Sequence, residues 1–236
     1  MVSNPRDVTG LASDGFRWEL ERSRVLAIVR GTVPGATLAS IEVLIEAGIQ
    51  MIEVSLTGVD ALDVLRQAIQ SRPDGTVIGA GTVRSVADLD AVIDAGAQFA
   101  VAPARTPAMM ETARKGIPAL PGVLTPNDIE EATGNGWTAL KLFPASFGGP
   151  GYLRALLDPY PGIDFVPVGG VTLPMVPAYF EAGALAVGIG SPLLGDAPHG
   201  GNLNELRRRA EELLSVSADA AELSAQRSVG KREASN

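Results

Sequence analysis

The chain has 236 residues, 46% hydrophobic and 19% charged, enough to bury one substantial core, and single-domain α/β barrels commonly run to this length. A net charge of −8 argues against a nucleic-acid surface, which needs clustered excess Lys and Arg, so an anionic ligand would need a local positive site. Without cysteine there is no disulfide, thiolate metal site or cysteine nucleophile, and His199 as the only histidine excludes a histidine-based metal centre.

Residues 1–15 are polar and small, without the cationic and apolar segments of a signal peptide, and read as a loose start. No apolar run approaches the ~20 residues that span a bilayer, so a cytoplasmic protein with no membrane partner is expected. A short helix follows near 16–23, with Phe16, Trp18 and Leu20 available for packing. Then 25–29 reads as a buried β-branched strand ending at Arg30-Gly31, and 36–47 carries helical spacing through Leu38, Ile41, Leu44 and Ile45 before Gly48. The unit repeats: strands at 51–56, 76–79, 99–102, 119–121, 138–145, 164–167 and 185–189 alternate with helices at 59–71, 85–95, 107–115, 127–133, 151–157, 175–182 and from about 202.

Eight strands alternating with eight helices predict right-handed βαβ crossovers and closure into a (β/α)8 barrel over residues 16–214. A doubly wound open sheet is the alternative, weakened because residues 29–35 lack the G-x-G-x-x-G order of a dinucleotide site. Residues 215–236 turn small and polar and read as a frayed extension of the last helix.

The strand Thr138-Ala139-Leu140-Lys141-Leu142-Phe143-Pro144-Ala145 carries a lysine at its centre, in a chain with sixteen arginines and three lysines. Alternation puts Ala139, Lys141 and Phe143 on one face, so the ammonium points into an enclosure; it loses hydration there, which favours the free amine that attacks carbonyls. The plainer alternative is a lysine that snorkels to solvent or pairs with a carboxylate. Glu53, in the second strand, is either a structural partner for Arg30 or Lys141 or a general acid/base beside a lysine nucleophile. The turns Gly169-Gly170-Val171-Thr172 and Gly188-Ile189-Gly190-Ser191, after strands seven and eight, stand where barrels frequently bind phosphate through backbone N–H groups. Ser146 to Gly151 is a third such loop, and His199, among Gly and Pro, is expected to face solvent. Arg207-Arg208-Arg209, with glutamates nearby, reads as a salt-bridged helix face.

On these stretches the chain resembles the 2-keto-3-deoxy-6-phosphogluconate and 2-keto-3-deoxy-6-phosphogalactonate aldolases, class I lyases with a (β/α)8 barrel. The matching motifs, in family order, are Ile52-Glu53-Val54-Ser55-Leu56, Ile78-Gly79-Ala80-Gly81-Thr82-Val83, Leu140-Lys141-Leu142-Phe143-Pro144-Ala145, Val168-Gly169-Gly170-Val171 and Gly188-Ile189-Gly190-Ser191. The resemblance implies that Lys141 forms an imine with pyruvate, Glu53 moves protons, Thr82 helps hold the pyruvate carboxylate and Phe143 lines the pocket. It implies further that Gly169, Gly170, Gly190 and Ser191 bind phosphate, that no metal or other cofactor is needed, and that the protein is a homotrimer. Phosphogluconate-type members often carry arginine four residues after the glutamate; this chain has Thr57, and Arg30 resembles the arginine that phosphogalactonate-type members place at the end of the first strand.

Overall fold

The computed structural model describes residues 13–233. The loose start expected for 1–15 lies, up to residue 12, outside the described residues, as do 234–236. From the N-terminus the order is α1 (Ser13–Ser23), β1 (Val25–Val29), α2 (Pro34–Glu46), β2 (Met51–Ser55), α3 (Ala61–Ser71), β3 (Val77–Gly81), α4 (Val86–Asp94), β4 (Ala100–Val101) and α5 (Pro107–Lys115). It continues with β5 (Ala119–Leu120), β6 (Gly122–Val123), α6 (Pro126–Gly134), β7 (Ala139–Leu142), α7 (Gly149–Leu157), β8 (Asp164–Pro167), α8 (Val176–Glu181), β9 (Val187–Ile189), α9 (Ser191–Leu194) and α10 (Leu203–Glu233). The helix starts are chemically marked. Thr106 and Thr125 cap α5 and α6 ahead of a proline, and Ser85 with Asp88, like Thr125 with Asp128, forms a reciprocal capping box.

All strand pairs are parallel, in a six-stranded sheet of order β5-β4-β3-β2-β1-β9 and a three-stranded sheet of order β6-β7-β8. The single ring of eight strands expected from the sequence is thus observed as two parallel sheets. Pro121 is where they part: it has no N–H to donate, so the strand expected at 119–121 stops as β5 at Leu120 and β6 begins beyond it at Gly122, while the Pro121 carbonyl accepts the Lys141 N–H at 2.9 Å. At the other edge an isolated parallel bridge joins Val168 to Gly188.

Alternation along these strands divides the core in two. Ile52, Val54, Ile78, Leu140 and Leu142 point outward to the helices, whereas Leu26, Met51, Val77, Phe99, Ala139 and Val166 point inward. Helix α1 adds Phe16 and Leu20 to the inner cluster, the Phe16 ring 5.3 Å from that of Phe99, and Arg17 binds Asp164 at the start of β8. Phe99 fits because Gly79 faces it: a Cβ there would come within 2.5 Å of the ring. At the far end, α10 seals the helix layer with Leu206, Ala210 and Leu213, and continues through the segment expected to fray from 215, burying Ser217 and Ala220. Among the described residues no helix is long and apolar enough to cross a membrane.

Candidate active site

Just above the inner apolar layer the register places two charges. Glu53 lies between Ile28 of β1 and Gly79 of β3, and Lys141 between Gly122 of β6 and Val166 of β8. Both are buried, at 1% and 5% exposure, and neither makes an ion pair among the described residues. The structural pairing of Glu53 with Arg30 or Lys141 is therefore not formed. Oε2 of Glu53 is buried without a hydrogen-bond partner, and Lys141 Nζ stands 5.1 Å from the centroid of the Phe143 ring, two residues along the same strand face. Gly81 makes room for the carboxylate, since a Cβ there would fall onto the Glu53 carboxyl group.

A chain of hydroxyls lies beside this pair. Ser55 Oγ is 2.9 Å from Thr57 Oγ1 and 3.1 Å from Thr82 Oγ1, and accepts from Arg30 Nε at 3.4 Å. Thr82 has φ +61°, rarely adopted by a β-branched residue and costing roughly 1–3 kcal/mol. In this conformation its hydroxyl meets Ser55.

Two turns close the opposite side. Gly169 (φ +88°) and Gly170 (φ +79°) adopt a backbone open to glycine and lie against Phe143 and Ser146, with no room for a Cβ on either. The turns after β7 and β8 are laced together, Ala145 N–H to Val168 O at 2.7 Å and Ser146 N–H to Gly169 O at 2.9 Å. From behind, the buried Tyr179 hydroxyl donates to Ala145 O at 3.1 Å, and burial raises its phenol above the ordinary value. Past β9, Gly190 precedes the one-turn helix α9, whose end is held by Arg209 donating to the carbonyls of Leu193 (2.6 Å) and Leu194 (3.1 Å). The N–H groups of Gly170 and Ser191 have no backbone acceptor among the described residues.

These parts surround one cavity of about 590 Å3. Arg30, Glu53 and Thr82 line it from β1 to β3, Lys141 and Phe143 from β7, and Gly169, Gly170, Gly190 and Ser191 from the two glycine turns. The structure thus brings all nine sequence-selected residues together. Sequence reasoning had Val168 in a family motif but missed Ile28 and Pro103 beside it in the apolar wall, which only register and packing place, and the joining role of Ser55, for which alternation with Glu53 was the available signal. His199, set aside as solvent-facing, is exposed but stands on the cavity rim, its Nδ1 2.8 Å from Thr32 Oγ1. Among the described residues no group of three or more His, Asp or Glu is placed to hold a metal ion.

The family profile described as "Aldolase: KDPG and KHG aldolase" matches residues 17–207. The probable 2-dehydro-3-deoxy-6-phosphogalactonate aldolase of Rhizobium meliloti (strain 1021) is 34% identical over 188 residues, 79% of this chain and 87% of the relative. The 2-dehydro-3-deoxy-phosphogluconate aldolase of Pseudoalteromonas atlantica is 36% identical over 150 residues, 63% of this chain and 67% of its own. Among solved structures, the KDPG aldolase of Legionella pneumophila, with pyruvate captured at low pH as a covalent carbinolamine intermediate, superposes with a TM-score of 0.73. It is 27% identical, covering 86% of this chain and 97% of that one. Family profile, relatives and fold agree: the chain belongs to the KDPG and KHG aldolase family and is a carbon–carbon lyase.

Proposed function

We propose that the protein is a class I aldolase that cleaves a 2-keto-3-deoxy-6-phospho sugar acid to pyruvate and D-glyceraldehyde 3-phosphate through an imine on Lys141. The observation that carries this reading is the pair Lys141 and Glu53, both buried, both lining one cavity and neither consumed in an ion pair among the described residues. A protein that only bound its ligand, or one acting through a metal, has no use for an enclosed, unpaired amine beside an unpaired carboxylate.

The chemistry follows from the positions. The Lys141 amine adds to the C2 carbonyl and water leaves, giving a protonated imine. Glu53 takes the C4 hydroxyl proton as the C3–C4 bond breaks and its electrons move to the imine nitrogen, so the aldehyde departs and an enamine remains. Glu53 carries the protons of the carbinolamine steps and protonates C3, after which hydrolysis frees pyruvate. Arg30 and Thr82, both bonded to Ser55, hold the carboxylate, Phe143 covers the imine, and Gly169, Gly170, Gly190 and Ser191 hold the phosphate through backbone N–H groups.

Arg30 meets Ser55 while Thr57 supplies only a hydroxyl, so the carboxylate's charge partner comes from the end of β1, as in phosphogalactonate-type members. On this ground we propose the galactonate epimer as the preferred substrate. Cleavage of the two C4-epimeric phosphorylated acids, measured side by side as pyruvate release, tests it; a preference for the gluconate epimer would reverse the assignment.

The two sheets are read as one closed (β/α)8 ring, with seams at Pro121 and at the Val168 to Gly188 bridge. The working form is a cytoplasmic homotrimer, which sedimentation at assay concentration checks.

A further inference from the structure

Few groups in the cavity can be charged. Among the described residues that line it, Arg30, Lys141 and His199 can be cationic, and Glu53 is the carboxylate. The proposed chemistry uses Arg30 and Lys141 at the pyruvate end. A phosphate ester would then face neutral amides alone, in a chain of net charge −8.

His199, the remaining basic side chain, stands on the wall of the same cavity. It ends the short 3-10 turn Ala197–His199 and shares the cavity lining with Ser191 and Gly195. The Thr37 hydroxyl donates to Pro198 O at 3.3 Å, and the turn packs so closely on Gly31 that a Cβ there would come within 2.5 Å of the same oxygen. Asp196 O accepts the N–H of His199 at 2.9 Å and of Gly201 at 3.0 Å, fixing the turn from the other end. Thr32 then engages Nδ1 of the ring, while Nε2 has no partner among the described residues. Arg30 and Thr32 are two residues apart, so one short loop sets both a cation at the carboxylate end and the orientation of the imidazole.

We infer that His199 is a binding residue for the phosphate monoester of the substrate and of the aldehyde product, donating from Nε2 a charge-assisted hydrogen bond that supplements the glycine turns. This rests on the aldolase reading above.

The test compares wild type with His199→Leu, which leaves no donor at that position, using the phosphorylated keto acid, inorganic phosphate as competitor, and pyruvate alone in borohydride trapping. The expected result is a KM for the phosphorylated acid raised about tenfold, as for loss of one hydrogen bond to a charged group, with kcat little changed. Inorganic phosphate should inhibit the variant more weakly. The pyruvate concentration that half-saturates trapping should not move. Thr32→Val, which frees the ring without removing it, should raise the same KM by less, and serves if His199→Leu does not fold. An unchanged KM, or a parallel rise in the pyruvate requirement, overturns the proposal. Wild-type protein that pyruvate never traps would instead overturn the aldolase mechanism itself, which separates the two failures.

Discussion

Gly81→Ala tests the acid/base assignment of Glu53 without touching Glu53. Gly81 is paired with Ser55 in the β2–β3 register and its backbone is not in the left-handed region, so alanine is allowed by the main chain. The added methyl, however, would overlap the Glu53 carboxyl, and at 1% exposure the open direction for that side chain is the cavity it lines. Two responses are open. If β3 shifts, overpacking costs ~1–3 kcal/mol, with Tm falling roughly 2–4 °C per kcal/mol in a chain of this size. If Glu53 swings into the cavity, the fold is nearly unharmed and the carboxyl is displaced by about 1 Å or more, which costs on the order of 100-fold in rate. Both displace Glu53 relative to Lys141. Exchange of the pyruvate methyl protons with deuterated solvent, followed by NMR, reads proton transfer at C3 directly, and kcat for cleavage should fall with it. A folded Gly81→Ala protein that exchanges and cleaves at wild-type rates would refute the role given to Glu53.

The same carboxylate should be held at a cost to the fold. Glu53→Met removes a buried oxygen that lacks a partner, so it should raise stability by about 1–3 kcal/mol in denaturant unfolding while abolishing exchange; a less stable variant would mean that Glu53 is satisfied in solution. At α6, burial pushes the Asp128 carboxyl up, but hydrogen bonds from the backbone N–H groups of Thr125 and Leu124 and from the Thr125 hydroxyl outweigh it and hold the group below its ordinary value. A lowered carboxylate stabilises the fold above the unfolded pKa of ~3.9 and loses that contribution as pH falls through the folded value. Asp128→Ala should therefore cost about 1 kcal/mol near neutrality, and its deficit against wild type should shrink below about pH 4; a pH-independent deficit would contradict the capping account.

What the sequence made legible was what local chemistry writes. The helices expected at 85–95, 107–115 and 127–133 begin within a residue of α4, α5 and α6, whose starts serine and threonine caps fix, and alternation around Lys141 put Ala139 and Leu140 on opposite faces, as found. Long-range geometry was not legible. The expected strand at 99–102 is paired only over Ala100–Val101, and the one at 119–121 stops at Leu120 with an unexpected short strand after Pro121, because ladder pairing depends on the neighbouring strand. Helix α9 is four residues long, too short to show a period. Arg209 sits in a run read as a salt-bridged face; Arg208 does pair with Glu205 and Glu212, but Arg209 turns inward to the carbonyls of α9. The place of His199 on the cavity rim depends on a turn packing against Gly31, more than 160 residues earlier, and no local pattern records that contact.

The central claim is a covalent bond at one lysine, and reductive trapping measures it directly. Pyruvate with borohydride should inactivate the protein and leave one three-carbon carboxyethyl group on the peptide containing Leu140, Lys141 and Leu142, with Lys115, which pairs with Asp90 at the surface, unmodified. Lys141→Arg should keep the charge and the fold yet lose both trapping and cleavage, since a guanidinium does not form the intermediate. Chelators should leave the rate unchanged. A protein that cleaves its substrate but is never trapped, or that loses activity to a chelator and regains it with a divalent ion, would contradict the mechanism.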